Sequence, residues 1–494
     1  MTPERASATS LSVGAPLSVS RGTHGGRTTP TLLVAMAASL TILYFSSTDE
    51  RYVLLPALCA INAGIYLWVT LWDRDGRLPF FDAGVFCGVV TVLYTVIPLL
   101  KYYLSGMTFT ILSDKRMVQH NPSPEELGTF AWRFVLYLLC FVCAYVLFRE
   151  KDAAGEGDLE EPDRGARNVM IVLFASLFGF FILIQFLFGI RYATSYADLE
   201  ESYQIFQGLP LIVQQILHYL QGMLFAFKLG LLVLVVRRYR LRFWRIFLYG
   251  WMVVEVLLTV LLMGGRTEMV LTLLAAAFLY HRLIRPIRMM VLLPAGVVFF
   301  VGFSLFGIYR SSGMEYLQSG IPDEAPIFSA VDETSMLFGT AYDIYKIKEN
   351  GGLDVPWQIY ASDFLVLVPQ QLLPLEKFDP GLWYLDLAGL KGAGIGLMFG
   401  VISHGIVGLD WLELAFRGAL LGFILALVHR WYSRRKTDYF ATLFYLWLCL
   451  KVYYTFRAST FYPVVWVFYE FLPAYVLMRY GPRWVSWWLT AVKV

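Results

Sequence analysis

Charged residues are scarce in this sequence: they make up 16% of 494 positions, where an ordinary soluble domain carries roughly a quarter. That scarcity excludes a protein whose main solvent is water. Cysteine is also sparse. Cys59, Cys87, Cys140, Cys143 and Cys449 all fall inside apolar segments, so no disulfide framework of an outer loop is available from them. Cys140 and Cys143 have CxxC form, but without a second pair they are expected to be small helix-packing residues, not a redox or zinc site. There is no GxxxxGK[ST] loop, no GxSxG elbow and no HExxH, which removes support for ATP hydrolysis, an α/β-hydrolase and a zincin. Asp73-Arg74-Asp75 has the form of a sugar-nucleotide metal motif, yet it occupies a short turn with no nucleotide fold around it and is read as chance. No apolar stretch alternates like a barrel strand, and no solenoid or inverted repeat is visible.

What remains is apolar residues, 58% of the chain, gathered into runs near the ~20 residues a helix needs to cross ~30 Å of hydrocarbon. The expected fold is all-α, a polytopic transmembrane helical bundle of about 12 helices. The expected spans are 31–47, 52–72, 79–100, 128–148, 169–189, 211–236, 246–264, 267–281, 289–308, 396–429 (partly re-entrant), 437–456 and 462–478. Residues 1–29, rich in Ser, Thr, Gly and Arg, are expected to be a disordered cytoplasmic tail ahead of a membrane domain over 30–485. With the N-terminus inside, the inner segments hold 24 of the 40 Lys and Arg, including Arg237-Arg238-Tyr239-Arg240 and Arg434-Arg435-Lys436. The positive-inside rule then puts both termini in the cytoplasm. Cations at membrane edges report orientation and give no reason to expect nucleic acid.

The outer side carries one long half-apolar, extracytoplasmic loop, 309–394, too long for an idle connection. Two shorter outer loops, Lys101–Leu127 and Arg191–Leu209, are placed to pack against it. Within the spans, Lys228 and Glu255 lie at matching depth on either side of Leu241, which predicts a structural ion pair. Arg133, Lys451 and Glu470 have no evident role; snorkelling to an interface accounts for the first two. Arg266, Arg310 and Arg457 stand at outward-facing helix ends. They admit two readings: ordinary cations meeting helix dipoles and lipid phosphates, or three guanidiniums converging on one pyrophosphate. Acid-base candidates on that side are Glu268, Asp332, Glu333, Asp343 and His404.

Three segments carry a family resemblance. They are Gly264-Gly265-Arg266-Thr267-Glu268 opening a span, the stretch from Asp363 through Leu372-Leu373-Pro374 to Lys377, and Gly392-Ala393-Gly394-Ile395-Gly396 leading to Gly408 and Gly418-Ala419-Leu420-Leu421-Gly422. Over roughly 190–480 the chain resembles the Wzy-type O-antigen and oligosaccharide repeat-unit polymerases. It departs from them where many members have an acidic residue between these glycines, because this chain has Ile402-Ser403-His404. No acidic role is carried over there, and the histidine is a point of similarity to O-antigen ligases.

The resemblance implies an enzyme of the bacterial inner membrane that needs no metal and no cofactor. It would transfer a glycan from undecaprenyl pyrophosphate to a sugar hydroxyl of the next lipid-linked repeat unit. Membrane lipids would surround it, and a flippase and a chain-length regulator would be its protein partners. On that reading Arg266, Arg310, Arg457 and Arg191 bind the substrate, Trp357, Trp383 and Tyr384 stack on its sugars, and Glu268 or His404 accepts the hydroxyl proton. Two alternatives stay open. One is a ligase or polyprenyl-phosphate sugar transferase, with Asp49-Glu50 where such transferases keep an acidic residue. The other is a flippase or transporter of the same lipid-linked sugars.

Overall fold

The computed structural model describes residues 49–71, 81–106, 109–113, 116–150, 164–189, 208–261, 266–285, 333–365, 378–387 and 399–491, with short pieces elsewhere, notably 36–45. The protein is an all-α, multi-pass membrane protein; among the described residues, six helices are long and apolar enough to cross a bilayer. These are α1 (Arg51–Thr70), α2 (Ala83–Ser105), α3 (Pro124–Phe148), α4 (Arg164–Leu187), α5 (Leu211–Arg237) and, late in the chain, α12 (Trp411–Ser433). Between α5 and α12 come α6 (Arg242–Leu261), α7 (Arg266–Leu283), α8 (Glu333–Glu349), α9 (Gln358–Leu365), α10 (Pro380–Leu387) and α11 (Val401–Val407). After α12 follow α13 (Tyr439–Lys451), α14 (Tyr454–Arg457), α15 (Tyr462–Trp466), a π turn (Val467–Phe471) and α16 (Leu472–Ala491). Nearly all of the expected span 289–308 and about half of the loop 309–394 lie outside the described residues.

Local chemistry sets the helix starts. The Asp82 carboxylate accepts from Val85 N at 3.0 Å and caps α2; Ser123 caps α3 ahead of Pro124; Asp438 caps α13. Cross-links between helices define two ends of the bundle. One carries an antiparallel hairpin that the sequence did not announce, β1 (Phe109–Ser113) and β2 (Arg116–His120), with Phe109 opposite His120. Phe109 packs on Phe338 and Tyr342 of α8, so the segment after α2 does meet the long loop 309–394, as expected.

The opposite end is tied by Asp82. Its carboxylate takes Arg149 at 3.0 Å and the Tyr145 hydroxyl at 2.7 Å, with His429 at 3.5 Å, while the His429 ring bonds the Tyr445 hydroxyl. Arg430 and Arg434 reach Glu150, and Arg282 donates to the Lys436 carbonyl, at the same end.

The core runs along α3, on which α12 lies parallel. Gly418 and Gly422 make this possible: a Cβ on either would sit 2.3 Å from the carbonyl oxygen of Tyr137 or Phe141. This is small-xxx-small packing, in which absent side chains let two backbones meet where no hydrophobic effect drives them together. Hence the GALLG segment singled out above is here a packing seam. Cys140 is half-buried, whereas Cys143 faces out of the bundle and does not pack between helices.

Candidate functional site

The site is built where helices break at the hairpin end. The run expected as one span, 437–456, stops at Lys451 and resumes as the single turn of α14; the next run starts with two short pieces before α16. Irregular backbone at such depth survives only where protein or a polar cavity satisfies it. Here α14 and α15 form a wedge with two polar flanks.

On the first flank, Phe456 stacks on Tyr94 and meets the edge of Tyr137, and its carbonyl fills the space a Cβ of Gly400 would need. Arg417 of α12 is held by Glu413 Oε1, which takes its Nε at 2.8 Å and its Nη2 at 2.7 Å, and it donates to the Thr460 hydroxyl at 3.2 Å. The hydroxyls of Tyr137, Ser403, Thr455 and Ser459 are buried with no partner among the described residues. His404 lies one residue on from Ser403, buried, with its ring against the edge of Phe399 at 4.8 Å. Phe399 also gathers Trp383 (6.2 Å) and Tyr384 (6.4 Å), so three residues named from the sequence meet at one ring. Tyr384 is 2% exposed and its hydroxyl donates to the buried Asp343 carboxylate. Burial and that carboxylate push the Tyr384 hydroxyl far above the ordinary phenol range, so it stays a donor. Its ring is a core element here, not an open platform for a sugar.

The second flank faces α5 and α7. Arg457 closes α14, half-buried, with its guanidinium 5.3 Å from the Tyr454 ring and a donor contact of 3.2 Å to the Tyr453 hydroxyl. Lys451 lies 5.5 Å from the same Tyr454 ring and pairs with Glu470 of the π turn at 2.8 Å. Gly222 of α5 admits Glu470, and its neighbour Gln221 donates at 2.6 Å to Glu268 of α7. Two residues away, Tyr219 stacks on Tyr469 at 5.0 Å. Arg457 and Glu268 therefore belong to one neighbourhood, bridged by Tyr454, Lys451, Glu470 and α5.

Other sequence-named residues are more scattered. Arg266 opens α7 two residues before Glu268, but its side chain, like all of Arg191, Arg310 and Asp332, lies outside the described residues, as does the Glu333 side chain. Trp357 is 65% exposed, just ahead of α9. Lys228 and Glu255 form the ion pair that matched depth predicts, with Thr272 at 3.4 Å from the carboxylate.

Sequence reasoning missed Arg417 with Glu413, although their i,i+4 spacing was a visible signal. It also missed the partners of Arg133 and Lys451, which are Asp410 and Glu470. On α8, Lys346 bridges Glu126 and Glu349; although burial opposes its charge, those two carboxylates raise its affinity for the proton above the ordinary lysine range. Lys348 caps the carbonyls of Ile406 and Gly408 at the end of α11.

A separate cleft of about 240 Å³ opens at the same end, lined by Glu50, Val53, Tyr102, Tyr103, Asn121 and Pro124. Compared with known proteins, the chain matches no family model, no curated protein and no solved structure.

Proposed function

We propose that this membrane protein polymerises undecaprenyl-pyrophosphate-linked oligosaccharide repeat units at the outer face of a bacterial cytoplasmic membrane. The observation that carries the reading is the second flank: Arg457 and Lys451 share one tyrosine ring, Lys451 pairs with Glu470, and α5, which admits Glu470 at Gly222, holds Glu268 through Gln221. Glycosyl transfer from a lipid pyrophosphate needs those two functions together. Cations neutralise the charge that develops on the leaving pyrophosphate, and a carboxylate takes the proton of the attacking hydroxyl. Arg266 is the first residue of α7, two positions before Glu268 in the sequence. Charge asymmetry supports the outer placement, because the opposite end holds the Arg-rich turns 237–245 and 430–436.

The test is direct. Purified protein incubated with lipid-linked repeat units is expected to produce a ladder on a gel. Arg457→Ala, Arg266→Ala and Arg310→Ala are each expected to lower chain extension by on the order of 100-fold while leaving expression and membrane insertion intact. Full ladders from all three variants would remove the clamp. A single addition to another acceptor supports ligation instead, and unchanged substrate supports transport.

A second reading, a polyprenyl-phosphate sugar transferase, is favoured by one observation: Glu50 lines the cleft beside Tyr102, Tyr103 and Asn121. A monophosphate lipid donor and a requirement for a divalent cation would select it.

A further inference from the structure

The turn between α5 and α6 gathers five arginines in nine residues, Arg237, Arg238, Arg240, Arg242 and Arg245, and from Ser202 to Val254 the chain has no acidic residue. The turn is tightly built, with Tyr239 N on the Val236 carbonyl and Leu241 N on that of Arg238, each at 3.0 Å. Its centre is aromatic. The Tyr239 hydroxyl meets that of Tyr249 at 2.5 Å, the Tyr280 ring of α7 stands edge-on to Tyr239 at 5.6 Å, and the Arg245 guanidinium lies 5.8 Å from the Tyr239 centroid. Arg240, Arg242 and Arg245 are exposed. Arg242 heads an outward-facing stripe at helical spacing, Ile246, Tyr249, Val253 and Leu257, each at least half exposed.

Two ordinary accounts do not reach this pattern. A helix dipole favours Arg237 at the end of α5 but opposes Arg242 and Arg245 at the start of α6, whose first turn has no acid. Chain orientation needs cations at this end of the bundle, yet not exposed above one apolar stripe; in the other Arg-rich turn, Arg430 and Arg434 reach Glu150. The helices packed on α6 bring it no counter-charge here. Helix α5 has no acidic residue, and α7 has only Glu268, at its far end, before leading through His281 and Arg282 to the exposed Arg285. On α6 itself, Glu255 lies ten residues beyond Arg245 and is held by Lys228 of α5. Of the other acids described at this end, Asp82 holds Arg149, Glu150 holds Arg430, Asp438 caps α13, and Glu160 is exposed beside Thr437.

We propose that this surface binds one anionic phospholipid, with its phosphate among Arg240, Arg242 and Arg245 and an acyl chain along the α6 stripe. The chemistry selects the class. A phosphodiester suits forked donors that stay charged, the apolar stripe directly beyond them takes hydrocarbon, and a zwitterionic head group would bring an ammonium that the guanidiniums repel. A second copy of the chain on the same stripe is opposed by charge. A two-fold axis along the membrane normal would set the arginines of one copy against those of the other at equal depth. The site lies at the end of the bundle opposite the proposed chemistry and does not depend on the polymerase reading.

The full-length protein, delipidated in detergent and titrated with phosphatidylglycerol or with phosphatidylcholine of the same acyl chains, decides this by native mass spectrometry. Wild type is expected to retain one phosphatidylglycerol at a concentration about tenfold lower than it needs for phosphatidylcholine. The triple variant Arg240→Gln, Arg242→Gln, Arg245→Gln is expected to lose that preference. A second triple, Arg434→Gln, Arg435→Gln, Lys436→Gln, removes the same charge from the other turn and is expected to keep it. Arg242→Gln alone is expected to weaken retention about fivefold, and it keeps the question open to measurement if the first triple does not fold. Glycerol phosphate, the head group without chains, is expected not to compete at equal concentration; full competition would make this a site for a free phosphate and overturn the lipid assignment. Equal retention of the two lipids by wild type would show that acids of the segments 72–80 and 151–163 meet the arginines instead, and a preference lost alike in both triples would show only a general effect of charge. Either result overturns the proposal, as does a wild-type dimer that the first triple abolishes, which would give the stripe to a second copy.

Discussion

Arg133 shows how much a single buried charge depends on its surroundings. Read along the chain, it is a cation on an apolar helix that snorkels to an interface. In the fold its guanidinium forks onto both oxygens of Asp410, Nε to Oδ1 and Nη2 to Oδ2, each at 2.8 Å. The ring of Tyr345 lies 4.4 Å from it and that of Trp411 4.6 Å, so hydrogen bonds fill its plane while aromatic rings attend its delocalised charge. Asp410 is also the one described non-glycine residue with positive φ, at 53°, a backbone cost that the fork offsets. Removing the arginine strands a partly buried carboxylate on a strained turn. Arg133→Ala is therefore expected to destabilise the protein by roughly 3 kcal/mol, with Arg133→Lys recovering only part because it cannot fork. Thermal unfolding in detergent reads both. An unshifted midpoint for Arg133→Ala would show that the fork contributes nothing.

At the scale of elements, the decisive contact is the parallel seam of α3 and α12. Neither helix shows a strong apolar face in its sequence, because in a bundle surrounded by lipid both the buried and the outer faces are apolar. Glycine is the signal that survives, and the GxxxG at 418–422 marks the side that meets α3. A side chain added there meets backbone, which cannot rotate away. Gly418→Val or Gly422→Val is expected to cost about 3 kcal/mol, the upper end for overpacking, and to reduce the yield of monodisperse protein in size-exclusion chromatography. Gly179→Ala on α4, where an added Cβ meets nothing within 4 Å, is the control expected to be neutral. If all three behave alike, the seam does not hold the helices together.

The whole molecule was legible in the sequence to the extent that hydropathy makes it so. Helix positions on the apolar runs follow from length and composition, and Lys228 finds Glu255 because equal distance from a turn means equal depth. The same argument applied around 460–461, which lies between the expected spans 437–456 and 462–478, also reaches Lys451 and Glu470. Arg133 and Asp410 lie 277 residues apart, and no local pattern joins them.

Orientation is the remaining property of the whole chain, and the proposed chemistry depends on it, since a lipid-linked acceptor newly delivered to the outer leaflet can react only at an outward-facing site. The hairpin end carries the wedge, the Glu50 cleft and the start of α3; the opposite end carries Arg149, the 237–245 turn and the Arg282 contact with Lys436. In a cysteine-free background, Asn121→Cys is expected to react with a membrane-impermeant maleimide from outside intact spheroplasts, and Arg240→Cys only after the membrane is opened. The reverse pattern would turn the site toward the cytoplasm, where the same cations would meet nucleotide-activated sugars, and the outer-leaflet reaction would have to be withdrawn.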